Sequence, residues 1–102
     1  MLFALLGKYD PTMITESFAQ ERRVMENPPD GVKVIARYAK VSEKGGFIHI
    51  VKADSAEQLG ALLLRLVGVV EYEVIPIVEL TKAKEVESAK EYLGDIPMHG
   101  PL

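Results

Sequence analysis

The sequence contains no cysteine. That excludes a disulfide framework, a thiolate metal site and a cysteine nucleophile, and it fits a reducing, cytoplasmic setting. Histidine is almost as scarce: His49 and His99 are the two in the chain, and they share no ligand spacing. A zinc or iron centre needs several imidazoles or carboxylates converging on one point, so no metal and no other cofactor is expected.

Long apolar runs are missing too. Residues 59–70 are rich in Leu and Val but carry Arg65 and fall short of the roughly 20 residues that a bilayer requires. Residues 1–7 are apolar, yet they lack a basic leader and are cut off by Lys8, unlike a secretory signal. The expectation is a soluble protein with no membrane partner. Positive charge is not concentrated either: 12 Lys and Arg against 15 Asp and Glu give a net charge of -3, with the basic residues scattered among acids. Binding a nucleic acid takes clustered cations that displace counterions, so no nucleic-acid partner is expected. Gly45-Gly46 lacks the length and the Lys-Ser/Thr ending of a phosphate loop, and no serine sits in a nucleophile elbow.

What remains is 102 residues with 48% apolar and 26% charged side chains, the balance of one globular domain spanning 1–102. Residues 2–9 read as a strand that stops at Asp10-Pro11, a helix cap followed by a proline at the first helical position. Ile14, Phe18, Arg22 and Met25 then give one mostly apolar helix face. Asn27 to Gly31 makes a connection to a strand over 32–41. Ser42 to Gly46 is a turn, with Gly45 or Gly46 at positive φ, and a strand returns over 47–53. Asp54 and Glu57 resemble a capping box before a helix striped by Leu59, Leu62, Leu63 and Leu66, closed by Gly68. A fourth strand covers 71–80. Thr81 caps a third, more polar helix over about 82–93, and a Gly- and Pro-rich tail covers 94–102.

The order β-α-β-β-α-β is the split βαβ pattern, an α+β ferredoxin-like antiparallel sheet. Right-handed crossovers put the strands in spatial order 4-1-3-2, with an extra C-terminal helix. Pro76 then falls on an edge strand, where a missing donor is tolerable.

Helices cover one face of such a sheet, and alternation assigns the side chains. Val32, Val34, Ala36, Ile48, Ile50, Val74 and Val78 read as helix-facing. The other parity gives Ile35, Arg37, Ala39, Phe47, His49, Val51, Glu73, Ile75 and Ile77, an open face too apolar for water. A second copy of the same face is the simplest cover, so the expected partner is the chain itself, as a homodimer or larger homo-oligomer. On that face Arg37 lies opposite or diagonal to His49, with Glu73 at the other edge, and Tyr38, next to Arg37 in the chain, is placed to line the mouth of a cavity beside it. These four are the candidate ligand-binding residues, and His49 and Arg37 the candidate catalytic pair.

Three stretches carry a resemblance: 28–33 leading into Ala36-Arg37-Tyr38; Lys44-Gly45-Gly46-Phe47 with Ala53-Asp54; and 71–78. Together they resemble a family of short uncharacterised bacterial and archaeal proteins of the dimeric alpha-beta barrel superfamily, over roughly residues 2–80. The resemblance implies a ferredoxin-like fold and two sheets paired into a barrel, with no established activity. Arg37, Tyr38 and Glu73 match that family's pattern. Ala39 stands where it has a histidine, and Lys52 where it often has a carboxylate.

Three functions follow. One is a homodimer holding a small molecule between its sheets. Another is a cofactor-independent monooxygenase or isomerase, with His49 as general base and Arg37 stabilising an oxyanion. The third is an assembly module whose edge strands pair into larger rings.

Overall fold

The first turn after β1 (Leu2–Lys8) is set by Asp10, whose carboxylate accepts hydrogen bonds from the Thr12 backbone N–H and hydroxyl at 2.9 and 2.8 Å. Those bonds hold the Asp10 carboxyl below the usual carboxylate range. A 3-10 turn, Pro11–Met13, leads into α1 (Ile14–Glu26). In this computed structural model the described residues are 1–42, 44–81 and 87. The third helix and the tail expected from the sequence therefore lie outside the described residues, apart from Glu87.

Next come β2 (Val32–Ala39), β3 (Phe47–Ala53), α2 (Ala56–Leu64) and β4 (Glu71–Ile77). The β2–β3 connection is closed by Lys40 N–H donating to the Gly46 carbonyl and Gly45 N–H to that of Ser42. Gly45 and Gly46 both take positive φ, as the turn requires. The N-cap of α2 is Ser55, one residue later than the sequence pattern indicates: its side chain accepts from the Gln58 N–H. Ser55-x-x-Gln58 is the capping pair, in place of Asp54-x-x-Glu57.

The four strands form one antiparallel sheet in the order β2-β3-β1-β4, the ferredoxin-like arrangement expected. Pro76 lies in the edge strand β4. The core members on the strands, Phe3, Leu5, Val32, Phe47, Val51 and Ala53, share one face by register. Val24 and Met25 of α1, and Leu59, Leu62 and Leu66 from α2 and the turn after it, close over them. Leu5, Leu62, Leu66 and Val51 are fully buried. Each such side chain contributes about 1.5–3 kcal/mol by leaving water.

The face assignments divide. On β4 they hold within the strand, where Val74 stands opposite Leu5 of the core and Glu73, Ile75 and Ile77 face away, but fail for Val78, which lies past the end of the strand and is exposed. On β3 they are inverted, with Phe47, His49 and Val51 against the helices and Ile48 and Ile50 on the open face. On β2 they hold for Val32 and Val34 and then fail, because the register shifts between Val34 and Ala36. Ile35 is the extra residue of a bulge. Beyond it Arg37 and Ala39 turn to the helix side, while Ala36 and Tyr38 join the open face.

Candidate functional site

Arg37 and His49 are cross-strand partners, as expected, but beneath α1 and not on the open face. What draws them there is Glu21. The exposed parts of α1 include Ile14, Phe18 and Arg22, and its buried residues are Ser17, Glu21, Val24 and Met25. The helix is rotated from the face its apolar spacing marks, so one carboxylate points into the core.

Glu21 is 4% exposed and is held by both neighbours. Arg37 donates through Nε to Oε2 at 2.9 Å and through Nη2 to Oε1 at 2.6 Å, a two-pronged clamp. The His49 Nε2 lies 2.7 Å from the same Oε2. A weaker contact of 3.6 Å joins Arg37 to Glu26, which also receives Arg22 Nε at 3.2 Å. Burial pushes the Glu21 carboxyl up, but the hydrogen bonds from Arg37 and His49 and their charges outweigh it, so its pKa is lowered. The carboxylate is then an acceptor only, and His49 Nε2 must carry the proton it donates.

His49 is fully buried. Its pKa is lowered, first by burial and then by the Arg37 charge, against the opposing pull of Glu21. The imidazole is neutral at neutral pH, and Nδ1 presents a bare lone pair. Among the described residues that atom has no hydrogen-bond partner, nor do the buried Ser17 Oγ and Tyr72 Oη.

Around His49 the rings form a continuous line. Tyr9 and Phe18 pack on Phe47 at 5.2 and 5.0 Å between centroids, Phe47 on His49 at 5.8 Å, and His49 on Tyr72 at 5.6 Å. Tyr72 comes from β4, two strands from β3, and its ring crosses β1 at Gly7. A Cβ on Gly7 would lie 2.6 Å from Tyr72 Cε1 and 2.9 Å from Val70 Cγ1. Glycine at that position is what lets the ring pass. Burial, and secondarily the Glu21 charge, raises the Tyr72 phenol well above its ordinary value, so it stays protonated.

Tyr72 also walls a cavity of about 780 Å³ between the end of β1 and the segment joining α2 to β4, with Tyr9, Met13, Leu63, Val67 and Val70 among its other walls. Glu73 and Tyr38 are not part of this constellation. Glu73 pairs with Leu6 and Tyr38 with Ile48, both on the open face. Glu21, Ser17 and Tyr72 are the site residues that apolar patterning misses. The signal that marks them is the Ser17, Glu21 spacing of one helical turn, set against a histidine and an arginine that need an acceptor. Among the described residues no group of His, Asp or Glu could hold a metal ion, and no helix there is long and apolar enough to cross a membrane.

Both titrating groups make one acid-side prediction. With folded values below the ordinary 6.5 of histidine and 4.5 of glutamate, the unfolded chain binds protons that the fold does not. Stability is therefore full above about pH 6.5 and falls as pH drops, first through His49 and then through Glu21. Urea unfolding should show a lower midpoint at about pH 5 than at about pH 7.5, and His49→Gln should flatten that interval. A midpoint that rises on acidification would mean that His49 is charged in the fold.

An antiparallel sheet with the two helices of the described residues, α1 and α2, on one face, and a buried carboxylate–imidazole–guanidinium chain beneath α1, defines a small ferredoxin-like α+β protein. The model of one family, the domain of unknown function DUF3303, matches residues 1–91, and the chain belongs to that family. No curated protein matches it.

Proposed function

We propose that this is a cytoplasmic homodimeric binding protein of the dimeric alpha-beta barrel kind: two copies stack their open sheet faces, and each keeps its helix-covered side for a small molecule. The observation that supports the pairing is the composition of the open face. By register it carries Leu2, Ala4, Leu6, Ala36, Tyr38, Ile48, Ile50, Ile75 and Ile77, with no described helix over it. Leu6 and Ile75 are 36% and 37% exposed and Tyr38 59%. A contiguous patch of this kind stabilises association by leaving water.

The face is also self-complementary in charge. Lys33 and Lys52 pair at one corner, and Glu73 lies at the diagonally opposite one. A twofold axis between the sheets, perpendicular to that diagonal, sets each lysine corner over the partner copy's glutamate. Lys52→Glu should weaken the dimer about tenfold, and adding Glu73→Lys should restore it. Sedimentation equilibrium reads both. Two independent, additive losses would contradict the stacking.

The sites the sequence pointed to change sides. A ligand between the sheets would find neither Arg37 nor His49, since both lie on the helix side. Catalysis by His49 as base and Arg37 as oxyanion holder needs both groups at an open cavity. His49 is sealed and the Arg37 guanidinium is committed to Glu21, so the geometry favours binding over catalysis. Ring assembly through sheet edges is opposed by the bulge in β2 and by Pro76 in β4, both of which blunt an edge.

A further inference from the structure

A separate cavity of about 660 Å³ opens at the hairpin end of the sheet, and none of the buried trio lines it. Its apolar walls include two cross-strand pairs near the end of β1 and the start of β3, Leu6 with Ile48 and Gly7 with Phe47. The hairpin tip closes one side. A Cβ on Gly46 would lie 2.6 Å from the Gly7 carbonyl oxygen, and one on Gly45 would strike the Tyr9 hydroxyl. The tip therefore rests directly on the end of β1, which gives the cavity a wall of backbone. Three lysines surround this hollow, and they come from three separate stretches: Lys8 ends β1, Lys40 follows β2, and Lys44 lies in the hairpin tip. The chain has more acids than bases, yet among the described residues no carboxylate lines this cavity. Nor does any of the three lysines form a salt bridge there, although Glu71 stands across from Lys8 on β4. Like charges gathered round an apolar hollow repel one another and concentrate a positive field in it. The larger cavity beside Tyr72 shares Lys8 and Tyr9 but adds Asp10 and Glu71, so it has no such field.

We propose that the hairpin-end cavity binds an organic carboxylate with an apolar body, its head held by Lys8, Lys40 and Lys44 and its body laid against Leu6, Phe47 and Ile48. The lysines set the sign of the ligand's charge, and the walls set the rest of its chemistry: a bare inorganic anion would leave the apolar surface in water. About 660 Å³ is the size of a small-molecule site. The backbone speaks against a phosphate head. Phosphate sites draw on clustered backbone N–H groups, and here the Gly45 N–H is given to the Ser42 carbonyl and the Lys40 N–H to that of Gly46. What remains are ammonium groups and the Tyr9 phenol, all of which can donate to the two oxygens of a carboxylate.

This site goes beyond the proposed pairing and does not depend on it, because all its walls come from one chain. Isothermal titration of the whole protein with 2-naphthoate, the uncharged 2-naphthamide and acetate tests it, with the molar mass measured on the same sample. The naphthoate should bind at least about tenfold more tightly than either of the others, and added salt should weaken it. The double variant Lys40→Gln, Lys44→Gln should lose about tenfold in 2-naphthoate affinity and keep that for 2-naphthamide. Arg23→Gln, which removes an exposed cation from α1 outside the cavity, should change neither. In nuclear magnetic resonance spectra, 2-naphthoate should move the amide signals of Gly45 and Ile48 and leave those of Leu63 and Val67 in place. No binding of 2-naphthoate, equal affinity for its amide, acetate binding as tightly, or equal losses in the lysine and Arg23 variants would overturn the proposal. Shifts confined to Leu63 and Val67 would overturn it too, in favour of the other cavity. A dimer that does not bind 2-naphthoate would sink this site and leave the pairing standing. A monomer that binds it as described would do the reverse.

Discussion

Replacing Glu21 with alanine is expected to cost about 3 kcal/mol of folding free energy. The loss comes from both sides of the carboxylate. His49 keeps a buried Nε2–H with nothing to donate to, and Arg37 loses both prongs of its clamp. Arg37 tempers the cost, because its side chain is 36% exposed and can turn to water. Domains of this size are stable by only about 5–15 kcal/mol, so the change removes a large share. The melting temperature should fall by roughly 12 °C or more. Glu21→Gln keeps an acceptor for His49 and one contact for Arg37, and should lose about half as much. Urea unfolding of the three proteins measures both differences. An alanine variant within about 0.5 kcal/mol of native would mean that the buried trio contributes little to the fold.

The second large effect is on assembly. Ile50 lies at the centre of the open face, between Ala4 and Ala36 on the neighbouring strands, and is half-buried in one chain. Ile50→Lys leaves a lysine in water on the isolated subunit, which should keep its secondary structure and its urea midpoint at low concentration. In the stacked dimer two such charges enter an apolar interface without partners, and association should weaken by more than about a hundredfold. Sedimentation at several concentrations separates this from unfolding. A variant that sediments like native would place the contact elsewhere.

The contrast between these two residues shows what the sequence could and could not convey. Strand order, the hairpin at Gly45-Gly46, and the edge position of Pro76 follow from local chemistry and chirality, and the structure has all three. The Arg37–His49 pairing was legible too, because the hairpin sets the register. The side on which that pair lies was not. β3 is apolar on both parities, with Phe47 and Val51 on one and Ile48 and Ile50 on the other, so alternation defines two faces without ranking them. In β2 the extra residue at Ile35 reverses every assignment after it. Apolar spacing on α1 marks Ile14 and Phe18, whereas the residues that enter the core include Ser17 and Glu21. Hydrophobic periodicity cannot see a buried carboxylate on α1, whose place is set by its partners on two strands, Arg37 of β2 and His49 of β3.

The open apolar sheet face remains the feature on which the account turns. The most direct test is the molar mass of the native protein by light scattering at micromolar concentration. Stacked open faces predict twice the 11.3 kDa of one chain. A mass of one chain across that range would contradict the pairing.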